Sequence, residues 1–445
     1  MDLTNMVDEK KIINATLNFL NRQRSSNTFL VESFSGSSNF FYNPADGTFS
    51  ERSFGYLQSQ CFIYDLSLCI IAYSLGKDFE SAKRILSILE KNFYIGKEGK
   101  IGLFNSYRTD RYANDTEVLV MGIDGDRMHA GPNIWVGLAA YQYMVLSKDK
   151  SFYPLCLEII KWAIHQLHHR VLVDGSRGGI SMGYGWGHDW QKIYSSENNI
   201  DYFALLNLVE NDYSNNELSG IIRSSALRLI EVQEEKRSVG QWLVHEVYDK
   251  NLGLLYAGHN QTGLDKTKAL DTATFSILGI GPEKLFNLGI NPDRLIDSAE
   301  KFLKVETTIK EQKIEGFDFT DTEGHGQSRP AAIWLEGTYQ MILAYQQMAD
   351  FYQNNLVECK KYQDKYTKLL QNIETFIEIG DCEHQVPSYT TLNPKEDEII
   401  MTFKGDWEIQ RGLEHKRVPS IASTVWRQLA AMKFNPMMSS SKALL

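Results

Sequence analysis

Apolar positions recur at i, i+3, i+4 and i+7 along most of the chain, the spacing that lines them up on one face of an α-helix. Twelve such segments are predicted, at about 7–22, 57–75, 80–93, 130–147, 150–170, 197–213, 215–236, 269–280, 292–305, 330–353, 355–378 and 419–433. Two kinds alternate. The odd segments, such as FESAKRILSILEKNF and ELSGIIRSSALRLIEVQEEK, carry charge along one side and read as outer helices with a solvated face. The even segments, such as FIYDLSLCIIAYSLG, PNIWVGLAAYQYMVL and AAIWLEGTYQMILAYQQM, hold few charges and many small or aromatic residues. They read as helices buried nearly all round.

The connections alternate as well. Links from an inner helix to the next outer one are mostly a few residues, which makes antiparallel hairpins. Links from outer to inner run to about 25–40 residues, far above the usual loop length of about 4–6. Six hairpins with buried inner helices fit an all-α, (α/α)6 toroid: a closed ring of inner helices inside a ring of outer ones. The expected layout is one domain over residues 1–436 with a flexible tail at 437–445. A solenoid of stacked helix pairs is the competing fold, but its connections would be short on both sides. In the toroid every long loop arrives at the N-terminal end of an inner helix, so all of them crowd one mouth. Loops on a rigid scaffold are where binding residues concentrate.

The starts of the inner segments are therefore the place to look for chemistry. They hold Tyr64 and Asp65; Asn133 and Trp135, after the turn Asp124-Gly125-Asp126; Glu197 and Asp201; Asp271; Trp334 and Glu336, after the loop that carries Asp318; and Ser420, Ser423 and Trp426. Each alone has a plain explanation, since Ser, Asn and Asp cap helices and acidic residues suit a first turn. Glu197 and Asp201 depart from it. Their i, i+4 spacing puts both on one face of a helix with little solvated surface. Carboxylates there need partners or a polar cavity. Asp65 within FIYDLSLCII and Glu336 beside Trp334 pose the same question.

Several carboxylates and many aromatics at one mouth are the composition of a sugar site. Aromatic faces cover the apolar side of a sugar ring, and polar side chains bond its hydroxyls. Candidate binding residues are Tyr64, Asn133, Trp135, Tyr184, Trp186, His188, Trp190, Asp271, Asp318 and Trp334, several of them within GGISMGYGWGHDWQKIYSSENN. Each tryptophan has core packing as its alternative. Glycoside hydrolysis needs two carboxyl groups flanking the bond, one kept protonated. Burial and a like-charge neighbour raise the pKa of the acid. Glu197, with Asp201 beside it, fits that role. For the base, Asp124, Asp126, Glu336 and Asp65 compete.

Charge and composition remove other classes. A net charge of -10 argues against nucleic acid or an anionic membrane as partner. No phosphate loop, dinucleotide-binding glycine motif, HExxH or GxSxG occurs, and no cofactor or metal is expected. His165, His168 and His169 have metal-like spacing on a predicted outer helix but no supporting ligand nearby. The five cysteines form no CxxC pair and read as free thiols. With no basic-then-apolar start, the expected address is cytoplasmic, and a monomer is the default.

The stretches QCFIYDLSLCIIAY, GPNIWVGLAAYQY, SSENNIDYFALLNLV, LDTATFSILGIGP, IWLEGTYQMILAY and PSIASTVWRQLAAMKFNP, in this hairpin layout, resemble the six-hairpin glycosidase superfamily. The resemblance spans essentially the whole chain. It implies glycan cleavage, commonly with inversion by a Glu/Asp pair, and leaves the pair itself open because members place it on different hairpins. It also takes in lyases, phosphorylases, unsaturated glucuronyl hydrolases and epimerases. Phosphorylases usually add a β-sandwich that this chain lacks. Epimerases use a histidine pair, and none stands out here at the inner-helix starts. Three readings follow: an inverting glycoside hydrolase; an epimerase or lyase using His188, His259 or His325; and a glycan-binding or scaffold protein without turnover.

Overall fold

The computed structural model describes residues 8–34, 41–43, 48–50, 59–94, 102–112, 118–120, 127–184, 190–321, 331–379, 386–388, 391 and 419–439. Among them fourteen α-helices run in chain order: α1 (Glu9–Gln23), α2 (Ile63–Leu75), α3 (Phe79–Phe93), α4 (Ala130–Ser147), α5 (Tyr153–Gln166), α6 (Ser196–Asp212), α7 (Ser219–Ser224), α8 (Leu229–Trp242), α9 (Leu270–Phe275), α10 (Pro282–Leu288), α11 (Pro292–Leu303), α12 (Leu335–Phe351), α13 (Leu356–Ile379) and α14 (Ile421–Ala431).

The ring closes. α2 packs on α4, α4 on α6, α6 on α9, α9 on α12, α12 on α14, and α14 back on α2. These six inner helices are buried on nearly every side. The outer helices cover the seams: α1 lies on α14 and α2, α3 on α2 and α4, α5 on α4 and α6, α8 on α6, α11 on α9, and α13 on α12. α11 shows the outer pattern, with Leu295, Ile296, Ala299 and Leu303 inward and charged residues outward.

Four expected segments differ in detail. The stretch 57–75 opens with a short strand, Gln60–Phe62, before α2. The stretch 215–236 is broken, because Ala226 between α7 and α8 takes a left-handed φ of 59°. The stretch 269–280 is α9 followed by one wider π turn, Ser276–Ile280. The stretch 150–170 ends at Gln166, so His168 and His169 leave the helix. A ring nitrogen of His169 lies 2.8 Å from Glu235. Of the expected tail at 437–445, residues 437–439 are described. The chain from α14 to residue 439 crosses the far end of the ring: Met437 is buried, and the Gln142 amide on α4 donates to the carbonyls of Pro436 at 2.8 Å and Met438 at 3.1 Å. Cys61, Cys69 and Cys156 are free and buried. Among the described residues, no helix is long and apolar enough to cross a membrane.

The mouth is built by a repeated device. The residue preceding each inner helix is extended, not helical: Phe62, His129, Ser195, Ala269, Trp334 and Ser420. Each is tied to a neighbouring loop. Phe62 pairs with Ser106, His129 with Gly183, Ser195 with Gly258, Ala269 with Thr320 and Ser420 with Phe34, while the N–H of Trp334 donates to Phe317 at 2.8 Å. Gly183 (φ 135°) and Gly258 (φ 152°) lie so near the facing strand that a β-carbon would strike the carbonyls of Met128 and Tyr194. These ties fix where each helix begins, and so which side chains its first turns present to the ring's axis.

Candidate active site

The second residue of every inner helix lines one cavity: Tyr64, Gly131, Glu197, Asp271, Glu336 and Ala422. Four residues on, one helical turn deeper, come Leu68, Trp135, Asp201, Phe275, Gln340 and Trp426. Of these Trp135, Asp201, Phe275 and Gln340 also line it. The cavity, of about 340 Å3, is thus a stack of two helical layers under a rim of loop residues. The rim includes Phe34, Phe62, His129, His259, Phe319 and Trp334.

Three successive inner helices, α6, α9 and α12, each supply a carboxyl to the upper layer. Glu197 keeps some surface open to the cavity but is largely withdrawn from water. Burial raises its pKa well above the ordinary value, and the charges of Asp271, Asp201 and Glu336 raise it further. Its carboxyl hydrogen-bonds that of Asp271, and the bond favours the proton on Glu197 and the charge on Asp271. Burial still pushes Asp271 up to about 7.

Glu336 is held differently. The Tyr64 hydroxyl donates to its Oε1 at 2.6 Å and the Gln340 amide donates to the same atom at 3.2 Å. Tyr64 is itself aimed by the indole N–H of Trp426, which donates to its oxygen at 2.9 Å. Burial pushes Glu336 up to about 8, with these two donors pulling the other way. Asp65, one residue after Tyr64, is raised to about 7 by burial, against a hydrogen bond from Ser33.

Asp201 lies below Glu197 and is fully buried. Burial holds its pKa well above the ordinary value, with Asp271 adding to the effect. Neither of its oxygens has a hydrogen-bond partner. The Trp135 indole N–H is close enough to favour the charged form, but falls short of hydrogen-bond geometry.

The expected residues divide into three groups. Tyr64, Asp65, Trp135, Glu197, Asp201, Asp271, Trp334 and Glu336 come together on the cavity. Asn133, Asp318 and Trp190 do not line it. The Asn133 amide is used up on the backbone of Leu103 and His129. The Asp318 carboxylate accepts the N–H of Phe319 at 2.7 Å and of Ala332 at 3.1 Å, which pins a loop. Trp190 packs behind the rim, against His129 at 4.8 Å and under the Arg127 guanidinium at 4.6 Å. Asp124, Asp126, Trp186 and His188 lie outside the described residues, and of Tyr184 only the backbone, paired with Met128, is described.

Residues that the sequence did not single out join the wall: His129, Asn105, Asn260, Asp265, Thr267 and Phe319. His259 joins too. Its Nε2 lies 3.3 Å from the Glu246 carbonyl, and burial and then Arg170 hold its pKa below the usual histidine value. Among the described residues no cluster of His, Cys, Asp and Glu has metal-holding geometry.

No protein-family profile matches the chain, and no curated protein matches it in sequence. Solved structures match its fold throughout. An α-mannanase of glycoside hydrolase family 76 from Bacteroides thetaiotaomicron superposes with a TM-score of 0.58 at 11% identity, over 97% of this chain and 96% of that one. A glycosidase variant in complex with glucose gives 0.59 at 9%, over 99% and 100%. A sugar epimerase from a ruminal bacterium gives 0.54 at 8%, over 95% and 98%. The chain has the fold of the six-hairpin glycosidases, and identity this low speaks to fold alone.

Proposed function

We propose that the protein is an inverting glycoside hydrolase in which Glu197 is the general acid and Glu336 the general base. The observation that carries this reading is the opposite setting of the two glutamates on one cavity wall. Glu197 donates its proton to a neighbouring carboxyl, which keeps it protonated and ready to give that proton to a glycosidic oxygen. Glu336 accepts two donors on one oxygen, which favours the carboxylate and leaves the other oxygen for a water. In the reaction the Glu197 proton passes to the leaving oxygen as its bond to the anomeric carbon breaks. Water attacks that carbon and loses its proton to Glu336.

The placement on the ring supports inversion. Glu197 touches Asp271 on the next helix, whereas Glu336 stands one helix further round. Adjacent helices lie about 8–10 Å apart. That leaves room for the water that an inverting pair, about 6.5–9.5 Å apart, needs between its carboxyls. One solved neighbour, a glycosidase, has been captured with a glutamate changed to alanine at either of two places and with a tyrosine changed to phenylalanine. Two glutamates and a tyrosine are what meet here as Glu197, Glu336 and Tyr64.

Two histidines on the wall, His129 and His259, favour a second reading as a sugar epimerase. It ranks lower because the Nε2 of His259 is turned to Glu246 and the His129 ring packs against Trp190. A saccharide panel followed by mass spectrometry and NMR separates the two. Hydrolysis adds a water and gives the inverted anomer, and Glu197→Gln and Glu336→Gln each abolish it. Conserved mass, with activity surviving both changes, would establish the epimerase instead.

A further inference from the structure

We propose that Asp201, Asn198 and the Trp135 indole N–H form a hydroxyl-reading floor in a blind pocket that admits one uncharged terminal sugar ring. Removal of single neutral sugars from a chain end then follows. The floor is a claim about binding and stands by itself, while the action at a chain end rests on the hydrolase reading.

Four buried polar atoms on this wall have no partner: both carboxyl oxygens of Asp201, Oδ1 of Asn198 and Nε1 of Trp135. All three residues line the cavity, and Asn198 is 4% exposed and Asp201 0%. Leaving such groups unpaired is destabilising, so their convergence calls for a ligand. With the proton that burial favours on Asp201, the set offers both acceptors and donors. A sugar hydroxyl brings one donor and two acceptor sites, and an adjacent hydroxyl doubles them. Gly131 keeps this place open. A β-carbon there would overlap the Asn198 amide and come within 3.2 Å of Asp201 Oδ2.

The pocket ends at this level. Trp135, Phe275 and Trp426 close it beneath, with ring centroids 5.7–5.9 Å apart, and all three are at most 1% exposed. Below them the C-terminal segment crosses the far end of the ring. A saccharide enters from the rim and stops, and the volume is at the small end of ligand pockets, which span about 300–1,000 Å3. Charge selects the ring. Asp65, Glu197, Asp201, Asp265, Asp271 and Glu336 line the cavity, and among the described lining residues there is no lysine or arginine. A uronate or a phosphorylated sugar would bury its charge among carboxyls that burial already holds toward their neutral form, with no lysine or arginine among the described lining residues to meet it.

The test is titration calorimetry of the full chain with D-glucose, D-mannose, D-galactose, N-acetyl-D-glucosamine and D-glucuronate, then with the monodeoxy forms of the tightest binder. One neutral sugar binds and glucuronate does not. Asp201→Asn, which keeps the volume, weakens binding about tenfold to a hundredfold. Deleting one hydroxyl from the sugar costs wild type a similar factor and costs Asp201→Asn little more. Mere misfolding would not produce that non-additivity. Gly131→Ala weakens binding without removing any polar group. Equal affinity in Asp201→Asn, glucuronate bound as tightly as the neutral sugars, or no binding across the panel would each overturn the proposal. With the matching oligosaccharide, release of one terminal sugar at a time is expected. Internal cleavage would refute the blind pocket and leave Glu197 and Glu336 in their roles. No turnover with the deoxy pattern intact would remove the hydrolase and leave the floor standing.

Discussion

Asp201 and Asp212 lie near opposite ends of one helix, α6, and both are buried. At the far end of the ring Asp212 is satisfied: Tyr141 donates to one oxygen at 3.3 Å and Tyr153 to the other at 3.0 Å. At the mouth neither oxygen of Asp201 has a partner in hydrogen-bond geometry. The helix, the burial and the residue type are the same, so the difference lies in what each end is for. Where a buried carboxyl serves stability alone, the fold supplies its donors. At the mouth carboxyls crowd one another and Asp201 lacks a donor, an arrangement that costs stability and is kept where a ligand completes it.

The largest expected effect is catalytic. Glu197→Gln and Glu336→Gln each lower kcat by about 10²–10⁴-fold in steady-state assays, with Tm unchanged or raised, because each removes a crowded carboxyl. A drop in Tm matching the loss of activity would break the comparison. Tyr64→Phe is expected to cost about tenfold to a hundredfold in kcat. It should also move the acid limb of the kcat/KM profile to higher pH. The Tyr64 hydroxyl lowers the Glu336 pKa, so its loss raises that pKa, and a base must be deprotonated to act. An acid limb that stays in place would contradict Glu336 as the base.

At the far end the sign reverses. Asp212→Ala leaves two tyrosine hydroxyls unpaired and is expected to destabilise the fold by about 1–3 kcal/mol in urea unfolding. It should leave kcat/KM within about twofold, as for a distant independent site. The smallest effect is the pH dependence of stability. Burial raises the folded-state pKa of Asp212 to about 6, of Asp271 to about 7 and of Glu336 to about 8. The native state therefore holds protons that the unfolded chain has lost, and stability falls as pH rises from about 4 through these values. Asp271→Asn should flatten that fall up to about pH 7, and Glu336→Gln up to about pH 8, each by about 1 kcal/mol per pH unit. Unchanged slopes would show these carboxyls to be hydrated and ordinary.

The hairpin alternation was legible because buried and half-buried helices differ in charge along their whole length. Glu197, Glu336, Asp271, Asp65 and Asp201 were legible because a carboxyl opening a helix with no solvated face has few explanations. Asn133 and Asp318 show the limit of that signal. Each is a polar residue at the mouth, but its bonds go to the backbone of Leu103 and to that of Phe319 and Ala332, and only the fold reveals those partners. His129 and His259 reach the wall through β-pairings with distant segments, which no local pattern encodes. The deeper layer could have been read from the same sequence. Trp135, Phe275, Gln340 and Trp426 each stand four residues after a cavity-lining position, one helical turn on.

The most direct test of the central claim compares, for the sugar that the panel identifies, an aryl or alkyl glycoside with the corresponding glycosyl fluoride. Fluoride leaves without a proton, so a missing general acid matters little for it, whereas a missing base still matters. Glu197→Gln should hydrolyse the fluoride at nearly the wild-type rate while failing on the glycoside, and Glu336→Gln should fail on both. Full loss on the fluoride in Glu197→Gln, or retained hydrolysis in Glu336→Gln, would contradict the assignment of acid and base.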